Sequence, residues 1–308
     1  MSKIKIAVSI GDLNGVGIEI ALKAHKEVSE LCEPIYCINN TMLQKALKLL
    51  DMNIPDNFKL HNVKGEFEIK VGKVDIQSGR YSYDSFLSAI KLCEEKKASA
   101  VVTMPIHKEA WKLASIPYKG HTDMLRDYFK KDAIMMLGCP DMFVALFSEH
   151  VPLKDVASLV TKERLIVFFK DLYKSIGDKK VAVLGLNPHA GDNGVLGDEE
   201  RDIESAIKSV NDEIGKEVFF GAVVPDVAFT PYFRKDFNYF VAMYHDQGLA
   251  PLKALHFEES INVSLNLPII RTSVDHGTAF DIAYKGVAGK LSYINAIKSA
   301  ISFAKKGA

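Results

Sequence analysis

The chain has 308 residues, of which 48% are hydrophobic, so it is long and apolar enough to bury a substantial core. Lysine plus arginine and aspartate plus glutamate both number 39, which excludes a net charge that would draw the protein to nucleic acid or to an anionic membrane. The four cysteines show no CxxC spacing, and no apolar run reaches the roughly 18 residues of a membrane span. We therefore expect a globular, cytoplasmic protein with reduced cysteines and with neither nucleic acid nor membrane as partner.

Short β-branched runs alternate with amphipathic stretches, from KIAVSI and GVGIEIALKAHKEV at the start to YFVAMYH and LSYINAIKSAISFAKKG near the end. This alternation is typical of βαβ units and predicts an α/β fold with a largely parallel sheet. The segment Lys59–Gly79 interrupts the pattern and predicts irregular antiparallel strands. In such folds ligands collect beyond the carboxyl ends of the strands, so the polar residues that follow each apolar run are candidates for chemistry.

The first apolar run is followed by the glycine-rich turn Gly11–Gly17, GDLNGVG, which precedes a helical pattern. Its position suits a phosphate, but it matches neither G-x-G-x-x-G nor a P-loop. A tight turn in which glycine allows left-handed backbone and close packing is at least an equal interpretation. Further along, the segment Lys119–Asp123, KGHTD, precedes another helical pattern. At the start of a helix it would bind an anion, or Thr122 would simply cap the helix.

Four apolar runs of the chain end in a histidine, and these are His107, His150, His189 and His245. Because the carboxyl ends of parallel strands face one edge of a sheet, several of these imidazoles can converge. Three neutral imidazoles suit Zn²⁺, Co²⁺ or a similar divalent ion and leave a coordination position open for a substrate. A lone histidine is more often a satisfied loop residue, and the spacings match no short zinc motif, so the pattern predicts a metal site without fixing its members.

The last polar segment is Arg271–Gly286, RTSVDHGTAFDIAYKG, which crowds charged and polar groups into an otherwise apolar part of the chain. Arg271 is able to form a bidentate pair with a phosphate or a carboxylate. The turn His276–Thr278 offers backbone and side-chain donors to a ribose or a phosphate. A salt-bridged surface loop is the alternative interpretation.

Five motifs in chain order resemble the 4-hydroxythreonine-4-phosphate dehydrogenase family of pyridoxal phosphate (vitamin B6) biosynthesis: GDLNGVGIE, KGHTDML, LNPHAGDNG, MYHDQGLAPLK and RTSVDHGTAFDIA. The resemblance runs from residue 6 to residue 290. It implies an isocitrate/isopropylmalate dehydrogenase-like fold of two α/β domains with the active site in the cleft between them. Residues 1–125 with 246–308 would form a discontinuous cofactor-binding domain, and residues 126–245 a metal-binding, dimer-forming domain.

The resemblance also implies a reaction. NAD or NADP would oxidise the C3 hydroxyl of 4-phosphohydroxy-L-threonine to 2-amino-3-oxo-4-phosphooxybutanoate, which then loses CO₂ to give 3-amino-2-oxopropyl phosphate. The implied enzyme binds divalent zinc, cobalt or magnesium and is a homodimer with its active site at the subunit interface. Two alternatives stay open: a dehydrogenase of a four-carbon sugar-acid phosphate such as threonate 4-phosphate, which shares the motifs, and a metal-dependent phosphatase.

Carried over motif by motif, the resemblance assigns a role to individual residues of this chain. The metal ligands fall on His150, His189 and His245, and His107 is left without a role. The substrate contacts fall on His121, Thr122, Lys253, Asn262 and Arg271, and the cofactor loop supplies His276, Gly277, Thr278 and Asp281. Asp246 and Lys253 are the two candidates for the catalytic group that orients a ligand or takes the proton. The chain departs from many members at Leu13–Asn14, Asp123 and Tyr284, which bears on substrate preference more than on the reaction type.

Overall fold

The structure is a computed structural model that describes residues 3–306. By its internal contacts the chain forms two compact units, one made of the chain up to Lys131 together with the chain from Ile261 onward, and the other of Asp132–Ser260. The sequence placed these boundaries after residues 125 and 245. The helix that begins at His245 packs on strands of the second unit and therefore stays with it. The cofactor-binding and metal-binding roles of the two units remain predictions.

The elements alternate between strands and helices along most of the chain. The described strands are β1 (Lys5–Ser9), β2 (Glu33–Cys37), β3 (Lys59–His61), β4 (Ala100–Thr103), β5 (Ile134–Cys139), β6 (Met142–Leu146), β7 (Val181–Leu184), β8 (Phe219–Val223), β9 (Tyr239–Ala242), β10 (Ile261–Leu265) and β11 (Arg271–Val274). The described α-helices are α1 (Gly17–Leu31), α2 (Asn40–Leu50), α3 (Ile76–Glu94), α4 (Lys108–Leu113), α5 (His121–Phe129), α6 (Leu153–Val156), α7 (Lys162–Ile176), α8 (Glu199–Ile214), α9 (Pro225–Ala228), α10 (His245–His256) and α11 (Leu291–Lys306). Short 3-10 segments occupy Ala157–Leu159, Pro188–Gly194 and Phe233–Lys235.

In the first unit the strands lie in the order β3-β2-β1-β4-β11-β10, and all the pairs are parallel except β10 with β11. Strand β4 is buried along its whole length and β1 along all but its first residue, as expected for parallel strands that are covered on both faces. The pairing of Ser9 with Thr103 places the ends of β1 and β4 side by side. Polar residues that follow these two strands are therefore neighbours at one sheet edge.

In the second unit the strands lie in the order β5-β6-β9-β7-β8, and only the pair of β5 with β6 is antiparallel. Val144, Ala182 and Phe240 from the middle of these strands pack with Leu252 of α10 in one apolar cluster. The predicted α/β class with a largely parallel sheet is confirmed. No helix within residues 3–306 is long and apolar enough to cross a membrane.

Two helices begin at polar residues that cap them. Asn39 accepts a hydrogen bond from the backbone N–H of Met42 at 2.8 Å, and Asp75 accepts one from the backbone N–H of Gln77 at 2.9 Å. Each bond satisfies a donor that has no partner inside the helix, which fixes where α2 and α3 start.

The prediction of antiparallel strands for Lys59–Gly79 was wrong. Only β3 is a strand, it pairs parallel to β2, and α3 begins at Ile76. Part of the intervening backbone is satisfied by the side chain of Asn14, which accepts from the Lys70 N–H and donates to the Lys73 carbonyl, both at 2.9 Å. The Asn14 side chain thus provides hydrogen bonds that an adjacent strand would otherwise make with this backbone.

Candidate active-site residues

Two of the predicted metal ligands lie together at the carboxyl edge of the second unit. Strands β6 and β9 are parallel neighbours with Leu146 opposite Ala242, so the segments that follow them leave the sheet side by side. The rings of His150 and His245 lie there with their centroids 5.4 Å apart. Both side chains are accessible, since His150 is exposed and the His245 side chain keeps 39% of its surface.

The segments that carry these histidines are tied down by buried polar groups. The Ser148 hydroxyl donates to the Met243 carbonyl at 2.6 Å, which joins the end of β6 to the end of β9. Glu149 has a left-handed backbone, with φ of 48°, and its buried carboxylate accepts from the Met135 N–H at 3.1 Å. The two residues directly before His150 are therefore held in place.

The motif YHDQG forms the start of α10. Gln247 is buried and bridges two strands, because its carbonyl accepts from the Met243 N–H at 2.7 Å and its amide donates to the Gly185 carbonyl at 2.6 Å. A Cβ at Gly248 would collide with Val144, so only glycine lets the helix approach β6 this closely. The helix start therefore holds His245 at the edge of the sheet.

Asp246 orients the imidazole of His245. Its Oδ1 lies 2.8 Å from Nδ1 of the ring, and its side chain is 85% exposed. A carboxylate on one ring nitrogen fixes the ring and makes the other nitrogen the ligand, which is the usual arrangement around a histidine-bound metal. Nε2 of His245 is therefore the atom available for coordination.

His189 does not join this pair. Within residues 3–306 no group of three histidine, cysteine, aspartate or glutamate side chains is arranged to hold a metal ion. His189 is exposed and lies in the segment Pro188–Gly194, which follows β7. One chain thus offers two adjacent imidazoles, one of them oriented by a carboxylate, and this donor set fits part of a divalent metal site.

Arg271 is the central charged group of the first unit, with 2% of its surface exposed. Its Nε and Nη2 donate to the Thr103 hydroxyl at 3.2 and 2.8 Å, and its Nη1 donates to the Ser264 hydroxyl at 3.1 Å. A guanidinium carries five N–H groups, so these bonds leave two for a ligand. No carboxylate of the described residues is paired with it, and burial lowers its pKa to about 9. This buried positive charge would be stabilised by a bound anion.

Several polar atoms of the first unit are buried and unpaired among the described residues, and two of them belong to predicted substrate contacts. One is Nε2 of His121, whose ring packs edge-on against Phe86 and Trp111 at 4.5 and 5.6 Å between centroids. Burial and then the nearby Arg271 charge lower the pKa of His121 well below its usual value, so the ring is neutral at pH 7. The other atom is Oδ1 of Asn262, two residues before Ser264 and therefore on the same face of β10.

Thr122 is the second residue of α5, so its interpretation as the helix cap was wrong. The cap position is Gly120, with no side-chain cap bond. The chain before the helix is held instead by Asp123, whose carboxylate accepts from the Lys119 N–H at 2.9 Å.

The predicted cofactor loop packs directly on the turn Gly11–Gly17. The Thr278 carbonyl accepts from the Val16 N–H at 3.0 Å, and a Cβ added to Gly15 would lie 2.7 Å from the same carbonyl oxygen. The Tyr284 hydroxyl donates to the Leu13 carbonyl at 2.7 Å. The close-packing interpretation of the glycines therefore explains Gly15, and the turn serves as the platform for the loop.

The solvent side of the cofactor loop is open. His276, Gly277 and Asp281 are exposed, and a Cβ at Gly277 would meet no atom within 4 Å. Nδ1 of His276 lies 2.9 Å from the Gly277 carbonyl oxygen. All three residues are therefore accessible from solvent.

The structure also shows the contacts of two polar residues to which the sequence assigned no role. Asp12 is fully buried, with Oδ1 accepting from the Asn14 N–H at 2.9 Å and from the Ser78 hydroxyl. Its Oδ2 has no partner among the described residues, and burial raises the pKa of Asp12. The ring of His107 stacks on Phe280 of the cofactor loop, with centroids 4.8 Å apart. The only signal in the sequence was that both residues follow apolar runs.

Lys253 lies two turns after His245 on α10. Its ammonium stands over the ring of Phe257, 5.3 Å from the ring centroid, and the side chain is half-buried. The aliphatic stem is therefore packed while the amine remains within reach of solvent.

The chain is similar to known proteins over its whole length. Residues 30–300 match the family model of the pyridoxal phosphate biosynthetic protein PdxA. The chain is 68% identical to the 4-hydroxythreonine-4-phosphate dehydrogenase of Sulfurimonas denitrificans over 306 residues, which cover 99% of this chain and 100% of that protein. It is 56% identical to the enzyme of that name from Campylobacter fetus, with 98% of each chain covered.

Solved structures show the same similarity. The structure of 4-hydroxythreonine-4-phosphate dehydrogenase from Klebsiella pneumoniae is 31% identical, with a TM-score of 0.84 and 98% of this chain and 100% of that chain covered. The corresponding structure from Burkholderia phymatum is 29% identical, with a TM-score of 0.83 and coverage of 98% and 99%. The isocitrate/isopropylmalate dehydrogenase-like α/β fold predicted from the sequence is therefore confirmed.

Proposed function

The chain belongs to the PdxA family of pyridoxal phosphate biosynthetic proteins, and from this premise we propose that it is a 4-hydroxythreonine-4-phosphate dehydrogenase. The C3 hydroxyl of 4-phosphohydroxy-L-threonine becomes a ketone, as its C–H hydride passes to NAD⁺ or NADP⁺ and its O–H proton passes to a base. The product, 2-amino-3-oxo-4-phosphooxybutanoate, is a β-keto acid that loses its carboxylate as CO₂. The result is 3-amino-2-oxopropyl phosphate, a precursor for pyridoxal phosphate.

The observation that carries this proposal is the buried charge of Arg271. Within residues 3–306 this guanidinium is held by the hydroxyls of Thr103 and Ser264, so it has lost most of its hydration without a carboxylate as counter-ion. The phosphate of the substrate supplies that counter-ion, and the two remaining N–H groups bind two of its oxygens. This explains how a chain with equal numbers of acidic and basic residues selects an anionic substrate.

The unpaired atoms beside Arg271 suit the rest of the substrate. Neutral His121 donates or accepts at Nε2 without adding a charge, and Asn262 offers Oδ1 as an acceptor for the hydroxyl or amino group. Thr122 lies in the first turn of α5, where the helix N-terminus favours an anion. We assign substrate contacts to these residues.

A divalent metal ion fits the imidazoles of His150 and His245. When bound, such an ion lowers the pKa of the substrate hydroxyl and holds it in place. The carboxylate of Asp246 is hydrogen-bonded to Nδ1 of His245, so we assign Asp246 the role of orienting that ligand. Lys253 is then our candidate for the group that takes the hydroxyl proton.

We propose that His189 of the partner subunit completes the metal site in a homodimer. Two features support this: His189 does not approach the other two histidines within one chain, and the segment after it exposes large apolar side chains. Val195 keeps 77% of its surface and Leu196 keeps 46%, and Tyr232 of the same unit keeps 80%. Exposed apolar groups of this size are typical of a surface that another chain covers.

The cofactor is NAD or NADP, bound at the loop that contains His276, Gly277, Thr278 and Asp281. Support comes from the geometry of this loop, which is held rigidly from beneath by the Gly11–Gly17 turn and is open above. A fixed loop with exposed polar groups binds a dinucleotide without a large ordering cost.

The experiment that tests the function is the appearance of NADH when the protein is given 4-phosphohydroxy-L-threonine, NAD⁺ and a divalent ion. Formation of NADH together with CO₂ is expected. Threonate 4-phosphate serves as the comparison substrate, and release of inorganic phosphate is followed in parallel. Turnover of threonate 4-phosphate alone would assign the chain to the sugar-acid dehydrogenases, and phosphate release without NADH would assign it to the phosphatases.

A further inference from the structure

The segment that carries His189 has an unusual backbone. Residues 189–193 are five successive residues in the left-handed region, with φ between 43° and 78°, and only Gly191 among them is a glycine. Residues with a Cβ avoid this region because the Cβ crowds the following carbonyl oxygen. A run of this kind persists only where the surrounding structure holds it in place.

The holding contacts come from Asn187, two residues before His189. Its backbone N–H donates to Oε1 of Glu200 at 2.7 Å, and its side-chain amide donates to Oε2 of Glu200 at 2.9 Å and to Oε2 of Glu199 at 2.7 Å. All three N–H groups of Asn187 are therefore used, and both oxygens of Glu200 are engaged. Glu200 is 5% exposed, so these bonds are protected from water.

Glycines allow the chain to wrap around this contact. A Cβ at Gly191 would lie 2.6 Å from Oε2 of Glu200, and one at Gly185 would lie 3.1 Å from Oε1. A Cβ at Gly197 would collide with the side-chain amide of Asn187. The backbone at Gly185 and Gly191 thus packs closely against the Glu200 carboxylate, and a side chain at either position would crowd it.

We propose that Asn187 and Glu200 are the positioning residues of His189, and we call this pair the Asn187–Glu200 clamp. The proposal rests on the proposed function, in which His189 is a metal ligand. The clamp holds the left-handed segment before any metal arrives, so the cost of ordering it does not weaken metal binding. Neither residue needs to contact the metal or the substrate.

The first test compares Glu200→Gln with Glu199→Gln. The amide at position 200 replaces one acceptor with a donor that faces a donor of Asn187, whereas the amide at position 199 still has an oxygen to accept the bond from Asn187. We expect Glu200→Gln to weaken Zn²⁺ binding roughly 10- to 100-fold, as is usual for groups that support a ligand. Glu199→Gln should bind Zn²⁺ nearly as the parent does. Equal affinity of parent and Glu200→Gln would overturn the proposal.

The second test asks whether Glu200 acts through His189. If it does, Glu200→Gln should cause no further loss of Zn²⁺ affinity in a His189→Ala background, because the ligand it positions is already gone. A further loss of the same size would mean that Glu200 supports the fold generally, and the clamp would be rejected. Should Glu200→Gln not fold, Asn187→Ala, which keeps the backbone bond, takes its place with the same expected outcomes.

A measurement without metal separates this proposal from the function on which it rests. In metal-free protein, amide hydrogen exchange across residues 189–196 should be faster in Glu200→Gln than in Glu199→Gln, because the segment opens. Unchanged exchange would overturn the clamp. A parent protein that binds no Zn²⁺ while this exchange difference persists would contradict the metal site and leave the clamp standing.

Discussion

A single hydroxyl, that of Thr103, accepts hydrogen bonds from both Nε and Nη2 of Arg271, at 3.2 and 2.8 Å. The pairing of β4 with β11 brings these two residues together, since Ser273 lies opposite Thr103 and Arg271 is two residues earlier on the same face of β11. The contact uses one side of the guanidinium, and with the bond from Nη1 to Ser264 it leaves two N–H groups for a ligand.

This contact predicts the behaviour of Thr103 variants. Thr103→Val preserves the shape of the side chain and leaves two buried donors of Arg271 without an acceptor, so the free energy of unfolding should fall by about 1–3 kcal/mol. Thr103→Ser keeps the hydroxyl and should lose less. Denaturant titration of the three proteins measures the difference, and equal stability of the valine variant and the parent would contradict the assigned contact.

Arg271→Lys is expected to weaken substrate binding by about 1–3 kcal/mol, because it keeps a positive charge and loses the planar fork. NAD⁺ affinity should barely change, since the cofactor loop does not depend on this side chain. Calorimetric titration of each ligand into the variant checks both statements. Loss of NAD⁺ binding with substrate binding intact would place Arg271 with the cofactor instead.

The sequence predicted that two of the histidines are neighbours, because the ends of apolar strands can be recognised in it. His150 and His245 follow the apolar runs of β6 and β9, and the sheet brings them together as expected, whereas Arg271 begins strand β11. Thr103 and Ser264 escaped notice because a hydroxyl inside a buried strand looks the same whether it binds a guanidinium or a backbone group. Their role depends on strands that are adjacent only in the folded sheet.

Local patterns also failed where distant side chains decide the backbone. The segment after β3 has the composition of irregular strands, yet Asn14 satisfies part of its backbone. The left-handed segment at His189 could not be predicted either, because Gly191 is the one glycine in residues 189–193. The Glu200 carboxylate that holds the segment lies in a helix further along the chain. Neither interaction has a signature at short range.

The pKa of His121 leads to a pH dependence of stability. Burial and the Arg271 charge keep the folded ring neutral as the pH falls, whereas the unfolded histidine gains a proton near pH 6.5. The unfolded chain then binds more protons, so the free energy of unfolding should fall below pH 6.5, by at most about 1.4 kcal/mol per pH unit from this residue.

His121→Phe should reduce that acid-side loss, because phenylalanine still packs against Phe86 and Trp111 and does not titrate. His25, whose pKa burial also lowers, would account for a remaining part. Unfolding curves at several pH values decide this, and an unchanged slope in His121→Phe would be inconsistent with a neutral buried ring.

The cofactor loop predicts a contrast between two glycines. Gly15→Ala would press its methyl group against the Thr278 carbonyl, 2.7 Å away, so stability should fall by about 1–3 kcal/mol. Gly277→Ala meets no neighbour within 4 Å and should leave stability unchanged while weakening NAD⁺ binding, because the methyl group occupies the open side of the loop. Unfolding midpoints and NAD⁺ titrations separate the two effects, and unchanged NAD⁺ affinity in Gly277→Ala would move the cofactor elsewhere.

The central claim is a dehydrogenase whose metal site takes His150 and His245 from one subunit and His189 from the other. Inactive His189→Ala and His245→Ala subunits are mixed, heterodimers are isolated, and NADH formation from 4-phosphohydroxy-L-threonine is measured. The account predicts about half of the parent activity, because one of the two sites in each heterodimer has all three ligands. Heterodimers of His150→Ala with His245→Ala should stay inactive, since each site lacks one ligand. Inactive heterodimers in the first mixture, or activity in the second, would contradict the shared site.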